Sequence, residues 1–146
     1  MPRFFTLQEA EEVLPAVESA VRDAISRKAA YTRLETEWES FSQRMASTGG
    51  MLVDRGKVIE QKKRREEAAR ALKQAVERVH EFGCLMKDLD IGLVDFPTVF
   101  QGEEVYLCWK LGEDCIRFWH GVNEGFRGRK PIDTGFLEHH RGEKPK

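Results

Sequence analysis

The sequence predicts an α+β fold, mainly α: a long antiparallel helical hairpin followed by a small β-hairpin and a short C-terminal helix. Three observations predict it. Apolar residues recur at spacings of three and four over residues 6–47 and again over 57–82, the period of a helix with one buried face. Thr48-Gly49-Gly50 interrupts the two stripes. After Gly83 the period falls to two, as in strands with one face buried. Residues 1–146 are read as one domain, a length that suits a single shared core.

Helix 1 opens on a capping box, Thr6-Leu7-Gln8-Glu9. Thr6 accepts a first-turn N–H and Glu9 reaches back to the N–H of Thr6. Its stripe runs Leu7, Ala10, Leu14, Val17, Val21, Ala24, then Tyr31, Leu34, Trp38, Phe41 and Met45. Pro15 removes a donor and crowds the preceding turn, so a kink or restart is expected there. Residues 48–56 form the connection, closed by Asp54-Arg55-Gly56. Helix 2 follows with Val58, Gln61, Arg65, Ala68, Leu72, Ala75/Val76, Val79 and Phe82 on one face, and Gly83 stands where a left-handed cap belongs. At 1.5 Å per residue the helices are roughly 60 and 40 Å long. Their thin apolar content predicts coiled-coil packing on each other and on a second copy, a homodimer or larger.

Residues 85–110 read as a β-hairpin region. Leu93 to Phe100 and Glu104 to Lys110 are joined by Gln101-Gly102, and Pro97 places its strand at an edge or a break. A short helix is expected over 113–122, with Cys115, Ile116, Phe118, Trp119 and Val122 inward. Residues 133–146 read as a charged, frayed tail.

Composition narrows the function classes. Basic and acidic residues, 24 and 25, nearly cancel to a net charge of -1. Such a balance carries no field that would steer nucleic acid or an anionic membrane to the whole molecule. No apolar run approaches the roughly 18 residues of a membrane span, and no signal-peptide segment precedes the first helix. Cys84, Cys108 and Cys115 are odd in number and never stand as Cys-x-x-Cys, so they read as reduced thiols, and the expected location is cytoplasmic.

Several strings in the C-terminal third carry a resemblance: Gly92-Leu93-Val94-Asp95-Phe96-Pro97, Tyr106-Leu107-Cys108-Trp109, Leu111-Gly112-Glu113, Trp119-His120, Gly125-Phe126, and Gly128-Arg129 with Pro131. Together with Phe5-Thr6-Leu7-Gln8-Glu9-Ala10 and Leu14-Pro15, they resemble the prokaryotic domain of unknown function 2203 family over about residues 4–132. The resemblance implies a helical front and a motif-rich back, and no assigned activity.

The residues themselves offer four candidate sites. On a helix over 113–122, Glu113, Arg117, His120 and Glu124 share one face, with Asp95 arriving from the preceding strand. An imidazole flanked by carboxylates suits a divalent metal or acid–base chemistry, so Glu113, His120 and Glu124 are the candidate ligands. The same stripe also describes an ordinary surface helix with paired charges, and Arg117 in its middle opposes a cation. Arg127-Gly128-Arg129-Lys130 forms the second candidate, where paired guanidiniums with Asp95 nearby suit a small anion; a basic surface loop has the same composition. Glu77-x-x-His80 has the spacing of di-iron bundles but flanks the apolar stripe. Lys62-Lys63-Arg64-Arg65 is explained by Glu35, Glu37 and Glu39 on the facing helix, which would set antiparallel register; no aromatic platform supports nucleic acid there. Cys108 and Cys115 show no sign of activation.

Two functions follow from these residues. The first is a self-associating binding or scaffold protein that recognises a small anion or a protein through residues 92–131. The second is a metal-binding protein or metal-dependent enzyme using His120 with Glu113, Glu124 or Asp95.

Overall fold

Thr6 ends the extended N-terminal segment and starts the first helix. Its hydroxyl accepts the Glu9 N–H at 3.1 Å, and the Glu9 carboxylate accepts the Thr6 N–H at 2.9 Å. That backbone donor, with Thr6's hydroxyl and the Arg3 charge, holds the Glu9 carboxyl below its ordinary range against the effect of burial. Helix α1, Leu7–Ser47, runs unbroken from this cap in the computed structural model, which describes residues 3–49 and 54–142. The expected restart at Pro15 does not occur. Pro15 is exposed, on the side of the helix away from the buried stripe.

Asp54 caps helix α2, Arg55–Glu81, accepting the Lys57 N–H at 3.2 Å. Residues 50–53 of the expected 48–56 connection lie outside the described residues, as do residues 143–146 of the expected tail. Helix α2 ends at Gly83, whose φ of 96° is the left-handed conformation expected of it. Every position of its expected stripe is at least half-buried, and Ala75 and Val79 are fully so. The first helix buries Ala10, Leu14, Val17, Val21 and Ala24. Beyond Ala24 its apolar residues are only half-buried, so the far part of the hairpin stands off the body as a two-helix arm.

The body is an antiparallel sheet. Strands β1 (Leu85–Asp88), β2 (Leu93–Phe100), β3 (Glu103–Lys110), β4 (Phe118–Gly121) and β5 (Lys130–Pro131) lie in that order. Helix α3, Thr134–His139, precedes β6 (His140–Arg141), which returns to pair with β2 beside β1. Strand β1 pairs with residues 93–95 of β2 and β6 with residues 99–100. Pro97 falls in the gap between them, as a residue without an N–H must. Its carbonyl accepts the Phe5 N–H at 2.7 Å, so the N-terminal segment closes that gap. Gly92, at φ 68°, makes the preceding turn, and a Cβ there would lie 2.6 Å from that of Leu111.

Alternation along the strands sorts their side chains onto two faces. Val94, Phe96, Leu107 and Trp109 share one core with Phe5, Val17, Val21 and Val79 beneath the helices. Phe5 meets Phe96 edge to face at 5.3 Å. The opposite face carries Asp95, Tyr106, Cys108 and His120.

Two expected elements are corrected. Residues 113–122 do not form the short helix: a turn at 111–112 and an irregular stretch over 113–117 lead into β4, whose register sets Trp119 opposite Leu107 and His120 opposite Tyr106. Phe118, Trp119 and His120 are better accommodated on the free edge of β3 than in a ten-residue helix too short to hold itself. The short C-terminal helix lies later, at Thr134–His139, inside the expected tail. Asp133 caps it, accepting the Phe136 N–H at 2.8 Å. Phe136 then packs on both Phe100 and Trp119, with ring centroids 4.7 and 4.9 Å away, and those two rings meet each other at 5.1 Å. His140 stacks on the Phe136 ring at 5.2 Å, and its Nε2 accepts the Leu7 N–H at 2.9 Å. The end of the chain thus supplies a cap to the first helix.

No helix among the described residues is long and apolar enough to cross a membrane. Phe136→Ala should cost about 3–5 kcal/mol, the usual loss for a buried aromatic, and urea unfolding followed by tryptophan fluorescence measures it. A cost below about 1 kcal/mol would mean that α3 does not hold the sheet.

Candidate functional site

The register of three strands builds the site. Asp95 of β2 stands directly opposite Cys108 of β3, and Tyr106 of β3 stands opposite His120 of β4. All four therefore project from the face turned away from the helices. Asp95, Cys108 and His120 are 1%, 0% and 3% exposed, and one ligand atom from each lies within 4.8 Å of the others. Among the described residues these three form the one group of His, Cys, Asp and Glu placed to hold a metal ion.

His120 is pinned at both nitrogens. Nδ1 lies 2.8 Å from the Gly121 carbonyl and Nε2 lies 2.9 Å from Asp95 Oδ1. A carbonyl only accepts, so Nδ1 carries a proton. With Asp95 ionised, Nε2 donates as well and the ring is an imidazolium. Burial pulls its pKa down most strongly. The hydrogen bonds to Asp95 and Gly121 and the charges of Asp95 and Glu124 outweigh burial, and the net shift is upward. Tyr106 packs edge-on to this ring at 5.5 Å. Burial, then the neighbouring charge and hydrogen bond of Asp95, push the Cys108 thiol up to about 12, although the Arg129 guanidinium works in the other direction. Cys84, which donates to the Val79 carbonyl from the core, is also pushed up to about 12 by burial.

The other expected residues are engaged elsewhere. Glu113 does not join His120: Arg129 Nη2 reaches both of its carboxylate oxygens at 2.7 Å, and Oε1 also accepts the Lys110 N–H. Arg129 lies over the rings of Phe118 and Phe126 at 4.0 and 4.8 Å. Its guanidinium is a strut between the end of β3 and the chain before β5 rather than an open anion grip. Glu124 turns from His120 to the Gly121 N–H and the Lys130 ammonium, at 2.9 and 2.6 Å, which lowers its carboxyl pKa. Arg117 pairs with Asp114, and Arg127 is exposed. Glu77 and His80 are both exposed on α2, away from the hairpin seam. Of the Lys62–Arg65 run, only Arg65 meets the first helix, lying over the Trp38 ring at 4.4 Å. The strands thus bring together Asp95 and His120, which sequence reasoning selected, and Cys108, in which it found no sign of activation.

The model of the family described as uncharacterized conserved protein (DUF2203) matches residues 3–132. The chain belongs to this family. No curated protein and no solved structure matches it. The DUF2203 match spans every residue of the cluster and stops short of α3 and β6.

The Asp95–His120 pair has a defined pH signature. Because the folded-state pKa of His120 is raised, the pair's contribution is complete below the ordinary histidine pKa. It fades as pH rises through the raised value. Asp95→Asn should therefore lower the His120 pKa and destabilise the protein more at acid than at alkaline pH. Ring-proton NMR titration with urea midpoints across pH checks both, and a His120 pKa unmoved by the substitution contradicts the pairing.

Proposed function

We propose that this chain is a metal-binding protein that holds one divalent transition metal of the zinc class between Asp95, Cys108 and His120. The observation that carries this is the enclosure of a carboxylate, a thiol and an imidazole, each buried, within 4.8 Å of one another. A thiolate and an imidazole select zinc, cobalt or ferrous iron over magnesium or calcium, which prefer oxygen donors alone. The Nδ1 contact to Gly121 supports the same assignment, because a ligating histidine ordinarily donates its other N–H to a carbonyl or carboxylate and so aims the free nitrogen at the metal.

Binding exchanges one arrangement of charge for another. Without metal, an imidazolium faces a carboxylate beside a protonated thiol. With metal, Cys108 and His120 Nε2 give up their protons, and two anionic ligands balance the divalent charge. Three protein donors leave one position of a tetrahedral site for water or a small anion. The burial of all three favours a binding or structural role over turnover of an external substrate, which would need a cleft leading to the metal.

Purified without a histidine tag and titrated with Co2+, the protein should bind one equivalent. It should show visible bands of a tetrahedral site and a thiolate-to-cobalt absorption in the near ultraviolet. Cys108→Ser should remove the thiolate absorption, and His120→Ala should abolish stoichiometric binding while Cys115→Ser changes neither. Absence of Co2+ and Zn2+ binding by the wild-type protein would overturn the assignment.

A further inference from the structure

We propose that the fourth position on the metal is taken by a small carboxylate of formate size, with one oxygen on the metal and the other accepting the N–H of Arg129 Nε. This rests on the assignment of a metal to Asp95, Cys108 and His120, and it names the exogenous ligand of that site.

Arg129 lies against the cluster. Phe118 stands opposite Pro131 and Trp119 opposite Lys130, and the same register carried one step further sets Arg129 beside His120. Two residues before Pro131 in extended chain, Arg129 shares with it the face turned away from the helices. Phe118 in turn stands opposite Cys108, and the guanidinium lies over the Phe118 ring at 4.0 Å. Its charge is felt at the Cys108 thiol, where it opposes the effect of burial.

The guanidinium uses one edge and leaves a donor over. Nη2 reaches both oxygens of Glu113, and Phe118 and Phe126 hold the group between them. These contacts fix its orientation and leave the side chain 10% exposed. Nε is buried and has no hydrogen-bond partner. The other buried side-chain atoms of this kind among the described residues, Gln61 Oε1 and Arg65 Nε, lie in the arm, far from the cluster. Folded proteins rarely leave such a donor unmet, and a charged donor pairs most strongly with an anion.

Charge and space select the ligand. With metal bound, Asp95 and Cys108 balance the divalent ion. Glu113 balances Arg129, and Glu124 balances Lys130. Lys87 and Glu104 meet at Tyr106 and cancel. Lys110 is left over, its ammonium 5.8 Å from the Phe126 ring, so this side of the sheet carries one positive charge that a monoanion neutralises and water does not. Asp95, Cys108 and His120 are each at most 3% exposed, which limits the ligand to a few atoms. A carboxylate offers two acceptor oxygens, one for the metal and one for Nε.

Titration of the Co2+-loaded protein with sodium formate tests this, with perchlorate holding the ionic strength. The visible cobalt bands should shift and saturate at one formate per metal. In the zinc-loaded protein the Arg129 Nε–H resonance should move downfield and saturate as formate is added. Arg129→Lys keeps the charge and removes the Nε donor. It should bind Co2+ at the same stoichiometry and hold formate about tenfold more weakly, or worse. If that variant does not fold, the wild-type Nε–H resonance decides. Cobalt bands that ignore formate at tens of millimolar assign the position to water and overturn this inference while the metal assignment stands. A band shift with the Nε–H resonance unmoved also overturns it, as does unchanged formate affinity in a folded Arg129→Lys. Protein that binds no Co2+ overturns both readings.

Discussion

Eight consecutive residue pairs between β2 and β3 set almost everything else in this protein. They decide which side of the sheet meets the helices, because Phe96 and Leu107 share the side on which Phe5 and Val17 can cover them. They also decide what is left on the other side. Asp95 against Cys108 is a consequence of that register, and β4 then delivers His120 to the same place. A slip of β2 by one residue would send Asp95 into the hydrocarbon core, turn Val94 and Phe96 out of it, and part Asp95 from Cys108. Burial of the apolar face and assembly of the polar cluster are therefore one constraint. The turn at Gly92 maintains it, since a side chain there would collide with Leu111.

The two ends of the molecule are stabilised differently. In the body, strand pairing, a common core and the aromatic stack around Phe136 reinforce one another. In the arm, helix propensity and a half-buried seam carry most of the load, aided by the stacking of Arg65 on Trp38 and, nearer the body, by the ion pair of Arg78 with Asp23 at 3.2 Å. Local opening should accordingly begin at the arm and reach the sheet last.

The helical hairpin was legible because helices are local objects. Thr6 and Glu9, the spacing from Ala10 to Ala24 and Gly83 after α2 each act within a turn or two of chain. The site was half legible. Asp95 and His120 drew attention as a carboxylate and an imidazole in a motif-rich stretch, but Glu113 and Glu124 were joined to His120 through a helical spacing that does not exist. Over Cys115 to Val122 the apolar residues fit a period of 3.6 as readily as a period of two. Only the unpaired edge of β3 decides between them. Cys108 could be placed beside His120 only through strand register, a property of the assembled sheet. Phe136 was hidden as a single aromatic within a charged segment, and its value lies in the cluster it completes with Phe100 and Trp119.

The strap formed by α3 and β6 bears on where this domain ends. The family match closes at residue 132, yet the Leu7 N–H is capped by His140, the Thr98 hydroxyl donates to the Arg141 carbonyl, and Phe136 covers two aromatic rings. A fragment cut at the family boundary would lose part of its own lid, baring Phe100 and Trp119 and leaving residues 99–100 of β2 open to pairing with a foreign strand. The physical unit is longer than the recurrent pattern. Expression boundaries for this protein belong after residue 142.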